Sequence, residues 1–569
     1  MKITIAKTAG FCMGVRRAVD MVLDAANRTQ GPICTYGPLI HNPQVQEMLR
    51  EKGIPSIKEI PEKGEGTVLV RAHGVPPQDK IALETAGFKV IDATCPRVIR
   101  VQTIIGKHHR KGYTAIIIGD ADHPEVRGLL GYAGDRGFTA SSLEDVKALP
   151  AFDKAVVVAQ TTQDTSLYRE ITQWITENHS HYKIHDTICN STEKRQAETR
   201  QIAQQSDAVV VVGGKHSGNT QRLAQIAKAT GKPSMHIEDV SELDYQLLDR
   251  ADSVAITAGA STPNWIINKT CRAIEEHIRA SQKKNRFFFQ ARNLLLKTNA
   301  LLAMGAGCLT WACASLQGLD HTLIHATVAA LYVLSMQILN NLLTISSDRY
   351  NHPDRAGFYE THKKTMTAVA LVSGGAGLLL SFSHSITAFM LLILMSFLGL
   401  TYNLDIFSVL PGIGRFKALK DIPGSKTILI AAAWGTVTSI LPAMEDFNSL
   451  SVGISFGFAT GMVFARTAFF NVLEMQGDRI TGKETLPLIL GETRSLALIK
   501  GVLIALTLML LFAAALGVTG PIGFLLATLP ILLINTIVRC ENGYLLPGSN
   551  LEFLVDAHFI LAGFLGIFF

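Results

Sequence analysis

From residue 294 to residue 569 the sequence is a succession of long apolar runs separated by short polar connections. The runs lie near 294–315, 323–344, 366–383, 385–403, 427–443, 449–470, 496–517, 520–538 and 552–568, nine in all. Each approaches the ~20 residues that take a helix across the hydrocarbon core of a bilayer. A chain in lipid must satisfy its backbone polar groups internally, so this half is expected to be an all-α membrane domain of about nine transmembrane helices. The basic residues agree. Connections with Arg349, Arg355, Lys363 and Lys364, with Arg415, Lys417, Lys420 and Lys426, and with Arg479, Lys483 and Arg494 alternate with connections that contain no Lys or Arg. The positive-inside rule places the basic set in the cytoplasm. The expectation is a multi-pass protein of the inner (cytoplasmic) membrane, with the N-terminal half in the cytoplasm and the lipid bilayer as a partner.

Residues 1–280 follow a different pattern, and the whole-chain values of 18% charged residues and mean hydropathy +0.24 average over both halves. Short β-branched runs such as TVLV at 67–70, TAIII at 114–118, AVVVA at 155–159 and AVVVV at 208–212 alternate with helix-length amphipathic segments. Fully apolar strands of this kind predict parallel sheets covered on both faces, with ligands gathered at the carboxyl ends of the strands. VLVRAHGVPP, IIIGDADHPE and VVVGGKHSGN resemble one another. The expected fold is therefore an α/β domain, a threefold repeat of small parallel α/β units around a central cluster of functional residues. Three segments are expected: 1–280, a basic and aromatic linker at 281–293, and the membrane domain at 294–569. The N-terminus, MKITIAKTAGFCMG, has no apolar signal core, which predicts a reducing cytoplasmic setting for the first half. The net charge of +6 includes no basic stripe, so no nucleic-acid partner is expected.

The eight cysteines are sparse and widely spaced, which makes a disulfide framework improbable. Cys12 in AGFCMGV, Cys95 in DATCPRV and Cys189 in DTICNST each stand at a turn or helix start. There, exposed backbone N–H groups stabilise a thiolate. Spacing alone leaves them open to a metal or a structural role. Four histidines accompany them, His41, His73, His123 and His216, with Thr162, Ser217, Asn219 and Ser261 at strand ends. Such a donor-rich set suits a multiply charged anion such as a diphosphate. Neither a Walker loop nor a Rossmann glycine fingerprint is present.

Taken in order, GFCMGV, LIHNP, AHGV, DATCP, HPEV, QTT, ICNST, GGKHSGN and TAGAST resemble the 4-hydroxy-3-methylbut-2-enyl diphosphate reductases (the LytB family) over about residues 1–280. The resemblance implies reductive removal of an allylic hydroxyl to give isopentenyl and dimethylallyl diphosphates, at the end of the non-mevalonate isoprenoid route. It implies Cys12, Cys95 and Cys189 as ligands of a 4Fe-4S cluster with one iron left open to the substrate. Glu125 matches the proton donor and Thr161 its relay partner beside the substrate. His41, His73, His123, Ser217, Gly218, Asn219 and Ser261 match the diphosphate-binding set; Gly218 departs from family members that carry serine there. The implied electron donor is a ferredoxin or flavodoxin.

The second half is similar to the UbiA family of membrane prenyltransferases. That resemblance implies Mg²⁺ held on two Asp-rich motifs, here read on cytoplasmic loops at 340–355 and 466–487. Both motifs are eroded: Asn340, Thr344 and Asp348 form the first, and Asn471, Glu474 and Asp478 the second. Asp348, Glu474 and Asp478 remain as candidate Mg²⁺ ligands, with Arg479 and Lys483 on phosphate. Three other readings use the same residues: a membrane-anchored iron–sulfur redox or oxygen sensor without turnover, a zinc site on three cysteines and a histidine, and a reductase on a catalytically inactive membrane anchor. The Glu125–Thr161 pair argues against the sensor, which has no use for a proton donor.

Overall fold

The computed structural model describes residues 2–29, 31–281, 286–319, 323–401, 424–444, 447–483, 485–543 and 545–567. Linker residues 282–285 and the connection carrying Arg415, Lys417 and Lys420 lie outside that set. The chain divides after Ser281 into two compact units.

The first unit contains twelve strands: β1 (Lys2–Ile5), β2 (Ile33–Tyr36), β3 (Ser56–Ile57), β4 (Thr67–Val70), β5 (Lys89–Asp92), β6 (Thr114–Ile118), β7 (Gly137–Ala140), β8 (Ala155–Ala159), β9 (Lys183–Ile184), β10 (Ala208–Val212), β11 (Ser234–Ile237) and β12 (Ser253–Ala258). They form three four-stranded sheets, ordered β3-β2-β4-β5, β7-β6-β8-β9 and β11-β10-β12-β1. Every pairing is parallel. The third sheet repeats the order of the other two because the chain's first strand closes it.

Helices cover both faces of each sheet, which is why β4, β6, β8 and β10 are buried along their whole length and read as unbroken Val, Ile and Ala. The sheet order also corrects one expectation. IIIGDADHPE (β6) and VVVGGKHSGN (β10) hold equivalent places, but VLVRAHGVPP is β4, whose equivalents are β8 and β12. The true third member of the first set is β2, continuing into LIHNP.

Among the described residues of the second unit, six helices are long and apolar enough to cross a membrane: Ala300–Gln317, Leu323–Leu343, Lys363–His384, Ser449–Thr481, Glu492–Ala515 and Ile522–Glu541. The count of nine is thus not reproduced. The three other expected segments are helical but fall short: Ile386–Thr401 has 16 residues, Ser425–Gly435 runs into a π-helical turn at Thr436–Ile440, and Ser549–Gly566 carries Glu552 and Asp556. A second correction concerns the acidic motifs. Residues 466–481 are not a loop but the end of one 33-residue helix, and 345–361 form the short helices Ile345–Asn351 and Pro353–Thr361.

Small residues let these helices approach closely, the packing that lipid-embedded bundles favour. A Cβ built on Gly563 would meet Cys308 Cβ at 2.5 Å, and one on Gly305 would meet Phe559 Cβ at 2.9 Å. Ala300–Gln317 and Ser549–Gly566 therefore pack almost backbone to backbone.

Candidate active site

The threefold topology places the site. The edge strands β5, β9 and β1 each lead to one cysteine, and each cysteine is the N-cap of the helix that crosses to the next sheet. Cys95 precedes Pro96–His109, Cys189 precedes Asn190–Gln204, and Cys12 precedes Met13–Arg28. All three thiols are free and line one cavity. Gly14 keeps the approach open, since a Cβ there would fall 2.4 Å from Cys95 Sγ.

Burial pushes the Cys95 thiol up, against the N–H groups of Arg97 and Val98 that pull it down. Within electrostatic reach of Cys12 and Cys189 lies the guanidinium of Arg195, 3% exposed, donating to Gly10 O at 3.0 Å and Ala258 O at 2.9 Å. The sequence motif around Cys189 gives Arg195 no role; only the fold brings it beside the thiols.

β2, β6 and β10, equivalent in their sheets, each run into a helix whose start lines the same cavity. They contribute His41, then His123 and Glu125, then Ser217, Gly218 and Asn219. The third equivalent set, β4, β8 and β12, contributes His73, Thr161, Thr162 and Ser261. Thus every candidate residue of the first unit meets in one place. His216 is the exception: it is exposed and does not line the cavity.

Ligand nitrogens of His41, His73 and His123 lie within 4.8 Å of one another. They are better donors to an anion than ligands to a metal. His123 Nδ1 accepts from the Glu125 N–H at 3.1 Å, which leaves the proton on Nε2, facing Gly218. His41 Nε2, His73 Nδ1 and Asn219 Nδ2 are buried without a hydrogen-bond partner, a cost that a bound anion would remove. Ser261 Oγ donates to His41 O at 3.1 Å and lies 3.3 Å from Ser217 Oγ, joining two of the three units.

Burial, then neighbouring positive charge, holds His41 and His73 below the ordinary imidazole range and takes His123 down to about 4. The ligand-free pocket therefore holds neutral imidazoles.

Glu125 is 1% exposed. Thr161 donates its N–H to Oε1 at 2.7 Å and its hydroxyl to Oε2 at 2.9 Å. Both bonds favour the carboxylate, yet burial outweighs them and raises the group to about 7. A carboxylic acid that holds its proton near neutrality is suited to general-acid work.

In the second unit, Asp348, Glu474 and Asp478 already have partners. Asp348 Oδ1 lies 3.6 Å from Lys483 Nζ, and its Oδ2 accepts from Thr344 Oγ1 at 2.8 Å. Glu474 Oε1 is 2.7 Å from His352 Nε2, and Asp478 Oδ1 accepts from Asn351 Nδ2 at 3.0 Å. Asn471 is not near a metal set; it donates to Thr427 Oγ1 at 2.9 Å. Among the described residues, the three imidazoles of the first unit are the one group of His, Cys, Asp or Glu atoms that converges at single-ion distance. The three cysteine sulfurs do not, so a lone zinc ion suits them poorly and a larger polynuclear body suits them better.

Three soft metal ligands, an anion-binding set and a protonatable acid in one cavity are the equipment of a metal-dependent enzyme acting on a phosphorylated substrate. Residues 3–275 match the LytB protein family, and residues 300–540 match the UbiA prenyltransferase family. The 4-hydroxy-3-methylbut-2-enyl diphosphate reductase of Nitratidesulfovibrio vulgaris is 42% identical over 279 residues, 48% of this chain and 99% of that protein. Among solved structures, the chain is similar to an (E)-4-hydroxy-3-methyl-but-2-enyl diphosphate reductase, at 39% identity, 48% of this chain, 100% of that one and TM-score 0.39. It is also similar to an apo UbiA homolog from Aeropyrum pernix, at 16% identity, 47% of this chain, 98% of that one and TM-score 0.38. The chain belongs to the LytB family of 4-hydroxy-3-methylbut-2-enyl diphosphate reductases and carries a UbiA prenyltransferase domain behind that unit.

Proposed function

We propose that the N-terminal unit reduces 4-hydroxy-3-methylbut-2-enyl diphosphate to isopentenyl and dimethylallyl diphosphates, while the UbiA domain seats the protein in the membrane and binds prenyl chains. The observation that carries the reading is the buried Glu125–Thr161 pair in the cavity that also holds three free thiols and three imidazoles. Cys12, Cys95 and Cys189 would hold a 4Fe-4S cluster, which supplies two electrons and a Lewis-acid iron.

The rest falls to the chain itself. His41, His73, His123, Ser217, Asn219 and Ser261 bind the diphosphate, with the Gly218 amide at the start of the helix Gly218–Ala229. Glu125 protonates the hydroxyl as the allylic C–O bond breaks, so that water leaves. Thr161 fixes the carboxyl group's orientation. A second proton and the two electrons complete the new C–H bond, at either end of the allylic unit, giving the two isomers. A ferredoxin or flavodoxin is the electron donor that suits a low-potential cluster. The domain arrangement is 1–280, linker 281–293 and 294–569, with the head in the cytoplasm and the helices in the inner membrane.

The test is anaerobic turnover of the cluster-reconstituted full-length protein with 4-hydroxy-3-methylbut-2-enyl diphosphate and a low-potential reductant. Both five-carbon diphosphates should form, and Cys95→Ser should abolish them. Failure to turn over with an intact cluster would overturn the assignment and favour the sensor.

A further inference from the structure

The membrane unit contains a cavity of about 340 Å³ lined mainly by apolar side chains, among them Tyr332, Met336, Met395 and Trp434. Its volume is in the roughly 300–1,000 Å³ range of small-molecule sites. The polar groups of its lining include Asn340 and Lys426. Lys426 stands in the first turn of the helix Ser425–Gly435. An ammonium at a helix N-terminus is a doubled positive feature, since the unsatisfied N–H groups and the helix dipole there also favour negative charge. Among the described residues Lys426 makes no ion pair and no hydrogen bond. The carboxylates of Asp348, Glu474 and Asp478 act on Lys426 only at longer range; an apolar cavity lined by an ammonium without a direct partner has the complementarity of an apolar chain with an anionic head.

The metal that the family resemblance implies does not fit the carboxylates present. Thr344 and Asn471 stand where that pattern has acids. Each remaining acid has an internal partner: Lys483 on Asp348, His352 on Glu474 and Asn351 on Asp478. Only Asp478 Oδ2 is buried without a partner. A Mg²⁺ ion entering here would meet carboxylates already engaged by Lys483, His352 and Asn351, and the ammonium groups of Lys483 and Lys426, which act on the same acids, would oppose it.

We propose that this cavity binds an isoprenoid phosphate or diphosphate without a divalent cation, with Lys426 and the helix N-terminus beside it on the head group. The proposal rests on the prenyl-binding reading of the UbiA domain and departs from it in the metal. Lys426 and Lys483 then supply the charge balance that Mg²⁺ would supply.

The test uses the full-length protein in phospholipid nanodiscs and farnesyl S-thiolodiphosphate, a slowly ionising probe. Trp434 lines the cavity, so its fluorescence reports occupancy. Affinity in EDTA should stay within about twofold of that in Mg²⁺. Lys426→Met should weaken probe binding by about tenfold or more and leave the response to neutral farnesol unchanged, which separates a lost head-group contact from misfolding. Met336→Trp, which fills the cavity, should remove both responses. Binding lost in EDTA and restored by Mg²⁺ overturns the metal-free assignment and leaves prenyl binding standing. No response to the probe in either condition overturns the prenyl-binding reading, and this assignment with it.

Discussion

Thr161 grips both oxygens of Glu125, the backbone N–H on one at 2.7 Å and the hydroxyl on the other at 2.9 Å. Neighbouring strands of one sheet, β6 and β8, deliver the two residues to the same cavity. Hydrogen bonding alone would make this a strong carboxylate. Its burial makes it an acid near neutrality instead.

Glu125→Gln keeps the shape and one acceptor but has no proton to give. Turnover should fall by about 10²–10⁴-fold, the usual worth of general acid catalysis, with iron and sulfide content unchanged. Thr161→Val should lower turnover less, because the backbone N–H still holds Oε1. Equal activity of Glu125→Gln and the parent protein, in anaerobic assays, would remove Glu125 from the proton-donor role.

The pH profile follows from the same group. Glu125 is raised to about 7, so its acid form predominates below that pH and is lost above it. Activity that needs the acid should be level below neutrality on this group's account and fall as pH rises through about 7. Kinetics across that interval check it, and the limb should be absent from the residual activity of Glu125→Gln.

Gly14→Ala tests the packing around the thiols. The new methyl would lie 2.4 Å from Cys95 Sγ. Without a cluster, Cys95 can swing to another rotamer at a cost of about 0.5–1.5 kcal/mol; when its sulfur is a ligand it cannot. The variant should fold with near-normal apo stability, by thermal denaturation, but bind distinctly less iron per chain. Full iron content would show that the thiols do not need this approach.

Arg466 and Asp556 join two helices of the membrane unit, Nε to Oδ1 at 2.6 Å and Nη2 to Oδ2 at 3.3 Å. Breaking a buried pair from one side leaves an uncompensated charge and costs about 3–5 kcal/mol. Arg466→Met or Asp556→Leu alone should lower the detergent-solubilised protein's unfolding temperature, and the double variant should recover most of the loss. Additive losses would assign these residues to something other than a mutual pair.

The thiols and imidazoles were legible in the sequence as reactive residue types in turn motifs after apolar strands, whereas Glu125 and Thr161 were reached only through the family resemblance. Their grouping by strand was not legible. VLVRAHG looks like IIIGDADH locally, yet β4 pairs with both β2 and β5 and sits one place further into its sheet. The acidic stretch around Glu474 and Asp478 looked like a loop because charge is costly in lipid. It is helical because His352 and Asn351 meet those acids inside the bundle. The role of Arg195 is hidden in the sequence for a similar reason: its partners, Gly10 and Ala258, are 185 and 63 residues away.

By itself, the sequence determined two halves of opposite character, since hydropathy and strand periodicity are local properties of neighbouring residues. It also determined which side chains carry chemistry. Tertiary structure alone decided that three equivalent edge strands bring Cys12, Cys95 and Cys189 to one cavity, and that burial makes Glu125 an acid and the histidines neutral. It decided too that Lys483, His352 and Asn351 engage the membrane unit's Asp348, Glu474 and Asp478. Each of these depends on distances between residues far apart in the chain and on how much water the fold leaves between them, and neither quantity is written in the order of residues.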